Sequence, residues 1–435
     1  MDRNLNDKQK EAVEHEGGPI LIAAGAGSGK TKTLTARLAY LIEKGADPSK
    51  IIAITFTNKA AKEMADRVTS LLGSLVVRQR APTNQLTKLP FLGTFHSLCA
   101  RILKEEAALV SRTSNFTIYD ADDSLSLIKK IMKALDISKD TISPVAIQNR
   151  VSQIKSEMLS SEDFDKITKK IFEKYEATLI SSNAFDFDDL IVKAVEIFER
   201  HPKVLEKYRG RFNWILVDEY QDINTAQYKF IRLLAEEHQN LSVVGDDQQA
   251  IYSFRGADFR NFLNFQSDWP KARIVKLEQN YRSASNIIDA ASALMKNNKL
   301  QTPKTLWTEN AAGEPIKILR VSDPEEEAAI VASQIEATRD VSVAALYRTN
   351  AQSRAIEQAL IASNVPYKIF GGLKFYERKE IKDLVAGLRL ASNPSDSVSA
   401  ERISKNFDKK TAQYLLAELP RLGGKLNILE LINFF

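Results

Sequence analysis

One cysteine, Cys99, stands alone in 435 residues, so no internal disulfide can form. A lone thiol fits a reducing compartment, and a cytoplasmic location is the expectation. Histidine is scarce as well. His15, His96, His201 and His238 are scattered, and no zinc-ligand spacing joins them. No run of 18 apolar residues is present to cross a bilayer. The opening MDRNLNDKQKEAVEHEGG reads as polar, without the apolar stretch of a secretory leader. There is no internal repeat and no low-complexity tract. Nor does one sign of charge dominate: 61 Lys and Arg face 56 Asp and Glu, and the resulting +5 is compatible with nucleic acid without requiring it.

What the sequence does have is length for more than one core, about two to four domains. It also has short apolar runs that end in glycine or acid. PILIAAGAGSGKTKTL (19–34) is the first. Ile20-Leu21-Ile22-Ala23 reads as a buried strand, and Leu34, Leu38, Leu41 and Ile42 recur at helical spacing until Gly45 stops the helix. Strand, glycine-rich turn and helix are the setting of a phosphate-binding loop. The pattern is A-x-x-x-x-G-K-T, with Ala24 in the usual first glycine position. Gly25, Ala26, Gly27, Ser28 and Gly29 would wrap the phosphates with backbone N–H groups. Lys30 would reach the β- and γ-phosphates of ATP, and the Thr31 hydroxyl would take Mg²⁺.

A second run, Trp214-Ile215-Leu216-Val217, delivers Asp218 and Glu219 to a strand's carboxyl end, where open parallel sheets bind ligands. Asp218 suits Mg²⁺, and Glu219 suits polarising the attacking water. IIAITF (51–56) and LSVVGDD (241–247) add strands, and their alternation with helical segments predicts an α/β parallel sheet.

Nine segments now fall in one order: LNDKQKEAV (5–13), AGAGSGKT (24–31), ITFTNKAAKEM (54–64), GTFHSLCARIL (93–103), DFDDLI (186–191), ILVDEYQD (215–222), VVGDDQQAIYSFRGAD (243–258), LEQNYRS (277–283) and GGLKFYERKEIKDL (371–384). In this the chain resembles the UvrD/Rep/PcrA group of superfamily 1 DNA helicases. The resemblance implies a RecA-like P-loop NTPase sheet with helical insertions and a second RecA-like core. It implies that Gln9 reads the adenine edge, that Arg37 lies by the base, and that Tyr281 stacks on it. Arg282 would approach the γ-phosphate, a task that suits a planar guanidinium. Gln249 would sense that phosphate and couple it to DNA, while Gln221 and Asp222 tie the carboxylate strand to neighbouring loops.

Single-stranded DNA binding requires aromatic faces and cations. The candidates are Phe56, His96, Tyr252, Phe254 and Arg255, with Thr57, Asn58, Thr94 and Ser97 as phosphate hydrogen-bonders that position without reading sequence. Phe56 is either a stacking ring or the last core residue of its strand. Relatives often carry tryptophan where Phe254 stands. The expected partners are single-stranded DNA and single-strand/duplex junctions.

Along the chain, the first core is expected over 1–108 and 196–279, with a helical insertion over 109–195 whose basic residues either touch duplex DNA or form a solvated face. Part of the second core is expected over 280–380, with PIKILRV (315–321) and VSVAALY (341–347) as strands. Residues 381–435 read as the start of a second helical insertion. The resemblance further implies two later motifs, one with a His and a Lys-Gly-x-Glu stretch and one with an arginine for the γ-phosphate, and neither is found. The chain is therefore expected to be the N-terminal portion of a 3′-to-5′ helicase of repair or replication. The alternatives are an ATP- and DNA-binding module without unwinding, or the helicase part of a recombination nuclease complex.

Overall fold

The computed structural model describes residues 4–79, 89–338, 341–370, 378–423 and 425–434. Among the described residues eight strands form: β1 (Ile20–Ala24), β2 (Ile51–Thr55), β3 (Phe91–Thr94), β4 (Thr117–Tyr119), β5 (Ala184–Asp186), β6 (Trp214–Val217), β7 (Leu241–Gly245) and β8 (Arg273–Leu277). Six of them make one sheet in the order β3-β2-β6-β7-β1-β8. Every neighbouring pair in it is parallel. All carboxyl ends therefore open on one edge, where β1, β6 and β7 finish side by side.

The apolar runs are continuous because both faces are covered. Successive β1 side chains split between the two faces, as a period of two requires. Leu21 and Ala23 join one buried cluster, and Ile20, Ile22 and Ala24 join the other. The helices, in order, are α1 (Asp7–Val13), α2 (Lys30–Glu43), α3 (Asn58–Gln79), α4 (Phe95–Glu106), α5 (Ala121–Ala134), α6 (Pro144–Ser156), α7 (Lys166–Ser181) and α8 (Phe187–Arg200). Of these, α2 and α3 cover one face, and α4 and α8 cover the other together with the helix Thr225–Ala235. The return to the core, expected near residue 196, falls inside α8, which starts at Phe187 and buries Leu190, Ile191, Ala194 and Phe198 against the sheet.

The insertion forms the three helices its periodicity predicts, α5 to α7, around Leu127, Ile128, Ile171 and Tyr175. A small parallel pair that the sequence did not announce, β4 with β5, closes its base. There Lys155 at the end of α6 is enclosed by Glu176 of α7 (2.7 Å), Asp186 of β5 (2.7 Å) and Asp189 of α8 (2.8 Å). Burial alone would pull the Lys155 ammonium down, but Asp186, Asp189 and Glu176 together hold it well above the usual lysine range. Burial and the neighbouring Asp186 raise Asp189 to about 7, because several carboxylates share this cation.

The helices after residue 383 belong to the same compact unit. They meet the insertion's base through polar contacts. Arg389 pairs with Asp123 (2.6 Å), Tyr119 donates to Asp396 (2.8 Å), and Asn393 Nδ2 reaches Thr117 Oγ1 and Ser182 O, both at 3.0 Å.

A separate unit spans residues 314–382 and contains the helices Pro324–Ala337 and Ser353–Ala362. The strands expected at 315–321 and 341–347 do not form. A strand exists through its ladder partner, and these segments have none among the described residues. Ile318 and Leu346 are correspondingly 88% and 94% exposed. Residues 371–377 of the GGLKFYERKEIKDL stretch lie outside the described residues. No helix among the described residues is long and apolar enough to cross a membrane.

Replacing Lys155 by Met removes the ion-pair partner of the buried Asp186 and Asp189, while Glu176 keeps Lys193 (3.3 Å). It is expected to lower stability by about 3–5 kcal/mol, read as a drop in the urea midpoint at unchanged slope.

Candidate nucleotide and DNA site

The glycine-rich loop leaves β1 at Ala24 and enters α2 at Lys30. Two glycines are dictated by close approach. A Cβ on Gly25 would lie 2.1 Å from the Leu306 side chain, and one on Gly27 (φ +67°) would lie 2.5 Å from Asn280 Nδ2. The loop is gripped from outside. Gly25 N–H donates to Leu277 O (3.0 Å) and Tyr281 N–H to Gly27 O (3.0 Å). Asn280 Nδ2 donates to Ala26 O (2.7 Å), and Gln9 Nε2 donates to Ser28 O (2.9 Å). Of the loop's own amides, Gly25 N–H and Ser28 N–H are spent, on Leu277 O and on Gly25 O (3.3 Å).

Lys30 Nζ is buried with no hydrogen-bond partner among the described residues, and its one ion pair is to Glu219, 3.1 Å away. A buried ammonium without a full set of acceptors fits a phosphate. Thr31 Oγ1 donates to Asp218 Oδ2 at 3.1 Å. A hydroxyl and a carboxylate together at a phosphate loop match the sparse protein ligation of Mg²⁺, which takes its remaining ligands from phosphate and water. No group of three or more His, Cys, Asp or Glu forms a metal cage among the described residues. Burial, then the neighbouring Glu219, raises both Asp218 and Asp222 to about 6. Glu219 itself sits in the left-handed region at φ +51°, a conformation costly for a non-glycine residue.

Gln221 is fully buried and joins this corner to β7. Its Nε2 donates to Glu219 Oε2 (3.0 Å) and Asp222 Oδ2 (3.1 Å), while its Oε1 accepts from Asp246 N–H (2.9 Å). Asp246 in turn accepts from Gln249 Nε2 at 2.6 Å. From that turn the chain runs to the rings. Phe56 and Tyr252 centroids are 5.2 Å apart and Tyr252 and Phe254 5.9 Å apart, with the Arg255 guanidinium 5.6 Å from each of the latter two. Phe254 is 76% exposed. Phe56 is only half-buried, so its ring joins the aromatic row rather than ending the core.

Tyr281 and Arg282 adjoin the loop at Gly27. The exposed Tyr281 ring is held by its hydroxyl, which accepts from Asn6 Nδ2 (2.8 Å) and donates to Gln279 Oε1 (2.7 Å). Arg282 lies against Gly27 and forms no ion pair among the described residues.

Arg37 is a correction. It is 0% exposed and points into the protein. Its Nε donates to Ser242 Oγ (2.8 Å), and its Nη1 donates to Ala12 O (3.1 Å), Val13 O (3.1 Å) and His15 O (2.8 Å). It clamps the end of α1 to β7 and is not beside a base. Burial pulls it down to about 10, so it stays cationic at neutral pH.

Ser97 is a second correction, because its hydroxyl donates to Thr94 O (2.8 Å) while accepting in the reciprocal cap on α4, whereas the Thr94 hydroxyl serves that cap only as an acceptor. Ser97 N–H donates to Thr94 Oγ1 (3.3 Å) and Thr94 N–H to Ser97 Oγ (3.0 Å). Thr57 likewise accepts from Ala60 N–H (3.1 Å), whereas Asn58 is exposed at the start of α3. His96 is half-buried, burial lowers its pKa, and its ring meets that of Phe187 at 5.4 Å.

Sequence reasoning missed two residues here. Phe187 is 52% exposed at the first position of an otherwise inward-facing helix, an aromatic on the wrong side for a core. Lys32 is exposed one residue past Thr31, where its Nζ donates to Asn4 O (2.7 Å) beside the α1 segment that carries Gln9.

Comparison with known proteins agrees with this geometry. Residues 5–270 match the family model described as the UvrD/REP helicase N-terminal domain, and residues 275–435 match the UvrD-like helicase C-terminal domain. The second match corrects the expectation of an N-terminal portion alone. The chain is 41% identical over 443 residues to the ATP-dependent DNA helicase PcrA of Leuconostoc citreum, covering 98% of this chain and 58% of that protein. It is 44% identical over 414 residues to PcrA of Bacillus subtilis, covering 92% and 54%. The chain thus spans just over half the length of the curated relatives it matches.

Arg37→Met is expected to cost about 2–4 kcal/mol in urea denaturation, since three carbonyls and Ser242 lose their donor. Nucleotide affinity, measured with a fluorescent ATP analogue, should stay within about twofold because the side chain does not reach the loop.

Proposed function

The chain belongs to the UvrD/Rep helicase family, and from that premise we propose that it binds ATP with Mg²⁺ at residues 24–31 and single-stranded DNA along the ring row, as part of an ATP-driven DNA helicase. The observation that carries the reading is the unbroken series Glu219–Gln221–Asp246–Gln249, which runs from the carboxylate beside Lys30 into the turn before Tyr252. A change at the nucleotide is thereby felt by the DNA surface.

The loop amides not spent within the protein, together with Lys30, would hold the phosphates, and Tyr281 offers a face to the base. Gln9 is a further correction: it is 1% exposed, its Oε1 accepts from Asn6 N–H (3.1 Å) and its Nε2 donates to Ser28 O (2.9 Å), so it braces the loop and has no free amide edge to offer a base. Thr31 and Asp218 would hold Mg²⁺, whose chemistry is to offset phosphate charge. A γ-phosphate competes with Glu219 for Lys30. Once released, Glu219 can orient the attacking water, while Lys30 and Arg282 spread the developing charge. Gln249 sits where it can report the γ-phosphate to the row.

Bases would stack on Phe56, Tyr252, Phe254 and Phe187, with Arg255 and His96 adjoining. Stacking is indifferent to base identity, so binding is expected to be independent of sequence. Single-strand/duplex junctions as substrates, 3′-to-5′ polarity and a role in repair or replication follow from the family alone.

The test is ATP hydrolysis with and without single-stranded DNA, with Lys30→Ala as control. DNA-stimulated turnover that disappears in the variant supports a motor. Turnover no greater than the variant's, with both ligands bound, supports a binding module instead. Tyr252→Ala should weaken oligo-dT binding by about 1–3 kcal/mol in a fluorescence anisotropy titration.

A further inference from the structure

Lys304 lies on the segment that returns past β8, far in sequence from any motif. Its side chain has no exposed surface, and its partners are nearly as enclosed: it contacts Asp246 Oδ1 at 2.5 Å and Asp247 Oδ1 at 2.7 Å, with side-chain exposures of 2% and 0%. Two consecutive carboxylates enclosed together repel each other and lack solvent to offset it. Lys304 is the one cation paired with either of them among the described residues. The remaining acceptor positions are used to shape a turn. Asp246 Oδ1 also takes Gln248 N–H (3.1 Å), Asp246 Oδ2 takes Gln249 Nε2 (2.6 Å), and Asp247 Oδ2 takes Thr302 N–H. The Lys304 segment is itself tied back to the strand beside the phosphate loop. Lys276 Nζ donates to Pro303 O (2.7 Å) and Thr305 N–H to Glu278 Oε1 (2.7 Å). Two residues on, Leu306 covers Gly25.

We propose that Lys304 is a positioning residue which, by neutralising Asp246 and Asp247 together, holds the Asp247–Gln249 turn in the one shape that aligns Gln249 with the nucleotide and Tyr252, Phe254 and Arg255 with DNA. The inference rests on the nucleotide and DNA reading given above. Its physical content is that a mobile or protonated Asp pair would release Gln249 and loosen the start of the ring row while leaving Lys30 and Thr31 in place. Lys304 touches neither ligand and acts through the pair.

The test uses the whole chain as Lys304→Met, which keeps the stem and removes the charge, and as Lys304→Met/Asp247→Asn, which also removes one of the two carboxylates. The first variant should bind a fluorescent ATP analogue within about twofold of the parent. Its oligo-dT affinity should fall about tenfold, and any DNA-stimulated turnover by up to about 10²-fold. The second substitution should restore most of the DNA binding, which a simple packing defect would not allow.

Unchanged DNA binding in Lys304→Met overturns the proposal. So does an equal loss of nucleotide and DNA binding that Asp247→Asn does not relieve. If the parent chain binds neither ligand, the functional reading fails separately, and hydrogen exchange decides the role of Lys304. Faster exchange over residues 245–256 in Lys304→Met, reversed in the double variant, sustains the anchoring of the turn, and unchanged exchange overturns it.

Discussion

The carboxyl ends of β6 and β7 are joined by the Gln221 amide, and the candidate site depends on that joint. An amide both donates and accepts. Gln221 uses this to give its two N–H bonds to Glu219 and Asp222 and to take one from the Asp246 backbone. A glutamate could not supply the first two and a lysine could not supply the last. The space is equally specific: a Cβ on Gly245 would sit 2.5 Å from Gln221 Oε1, so the strand must end in glycine there. With the amide fully enclosed, each broken bond would cost about 1–3 kcal/mol. Glu219 and the Asp246 turn are therefore not free to move independently.

The phosphate loop and the β6 carboxylates were legible because each signal is local: a buried strand and its tight turn lie within residues 20–31, and a second buried strand and its acidic pair within residues 214–219. The ring row was legible for the same reason, since Tyr252, Phe254 and Arg255 are consecutive or nearly so. Residues whose role depends on a distant partner were not. Arg37 carries the right charge near the loop, but it lies two turns further along α2, about 10 Å down the axis from Lys30, where it meets Ser242 and the carbonyls that end α1. Ser97 has the right hydroxyl, but the helix start engages it as both donor and acceptor. Lys304 gave no signal at all, because nothing near it in sequence explains why a lysine should be buried. The segments 315–321 and 341–347 have strand-like composition, but composition cannot provide a neighbouring strand to pair with.

Both enclosed lysines sit among carboxylates distant in sequence: Lys155 among three from separate elements, Lys304 against the consecutive Asp246 and Asp247. Such clusters are poor devices for stability, since apolar residues of similar volume often serve as well. Their usefulness here is geometric. The ring row is a loop whose two ends are both held: Lys304 fixes its start at Asp246 and Asp247, and its end at Gly256 (φ +80°) lies so close to Ser156 that a Cβ there would approach the serine hydroxyl to 2.9 Å. Ser156 is the neighbour of Lys155, so the second cluster fixes the surface on which the loop's end rests. Just beyond, Asp258 N–H is bonded to Ile223 O, which ties the same end back to the segment after β6. A loop clamped at both ends cannot spread a displacement along its length. Any shift that Gln249 undergoes must be taken up between residues 249 and 256, and the exposed rings lie in that interval.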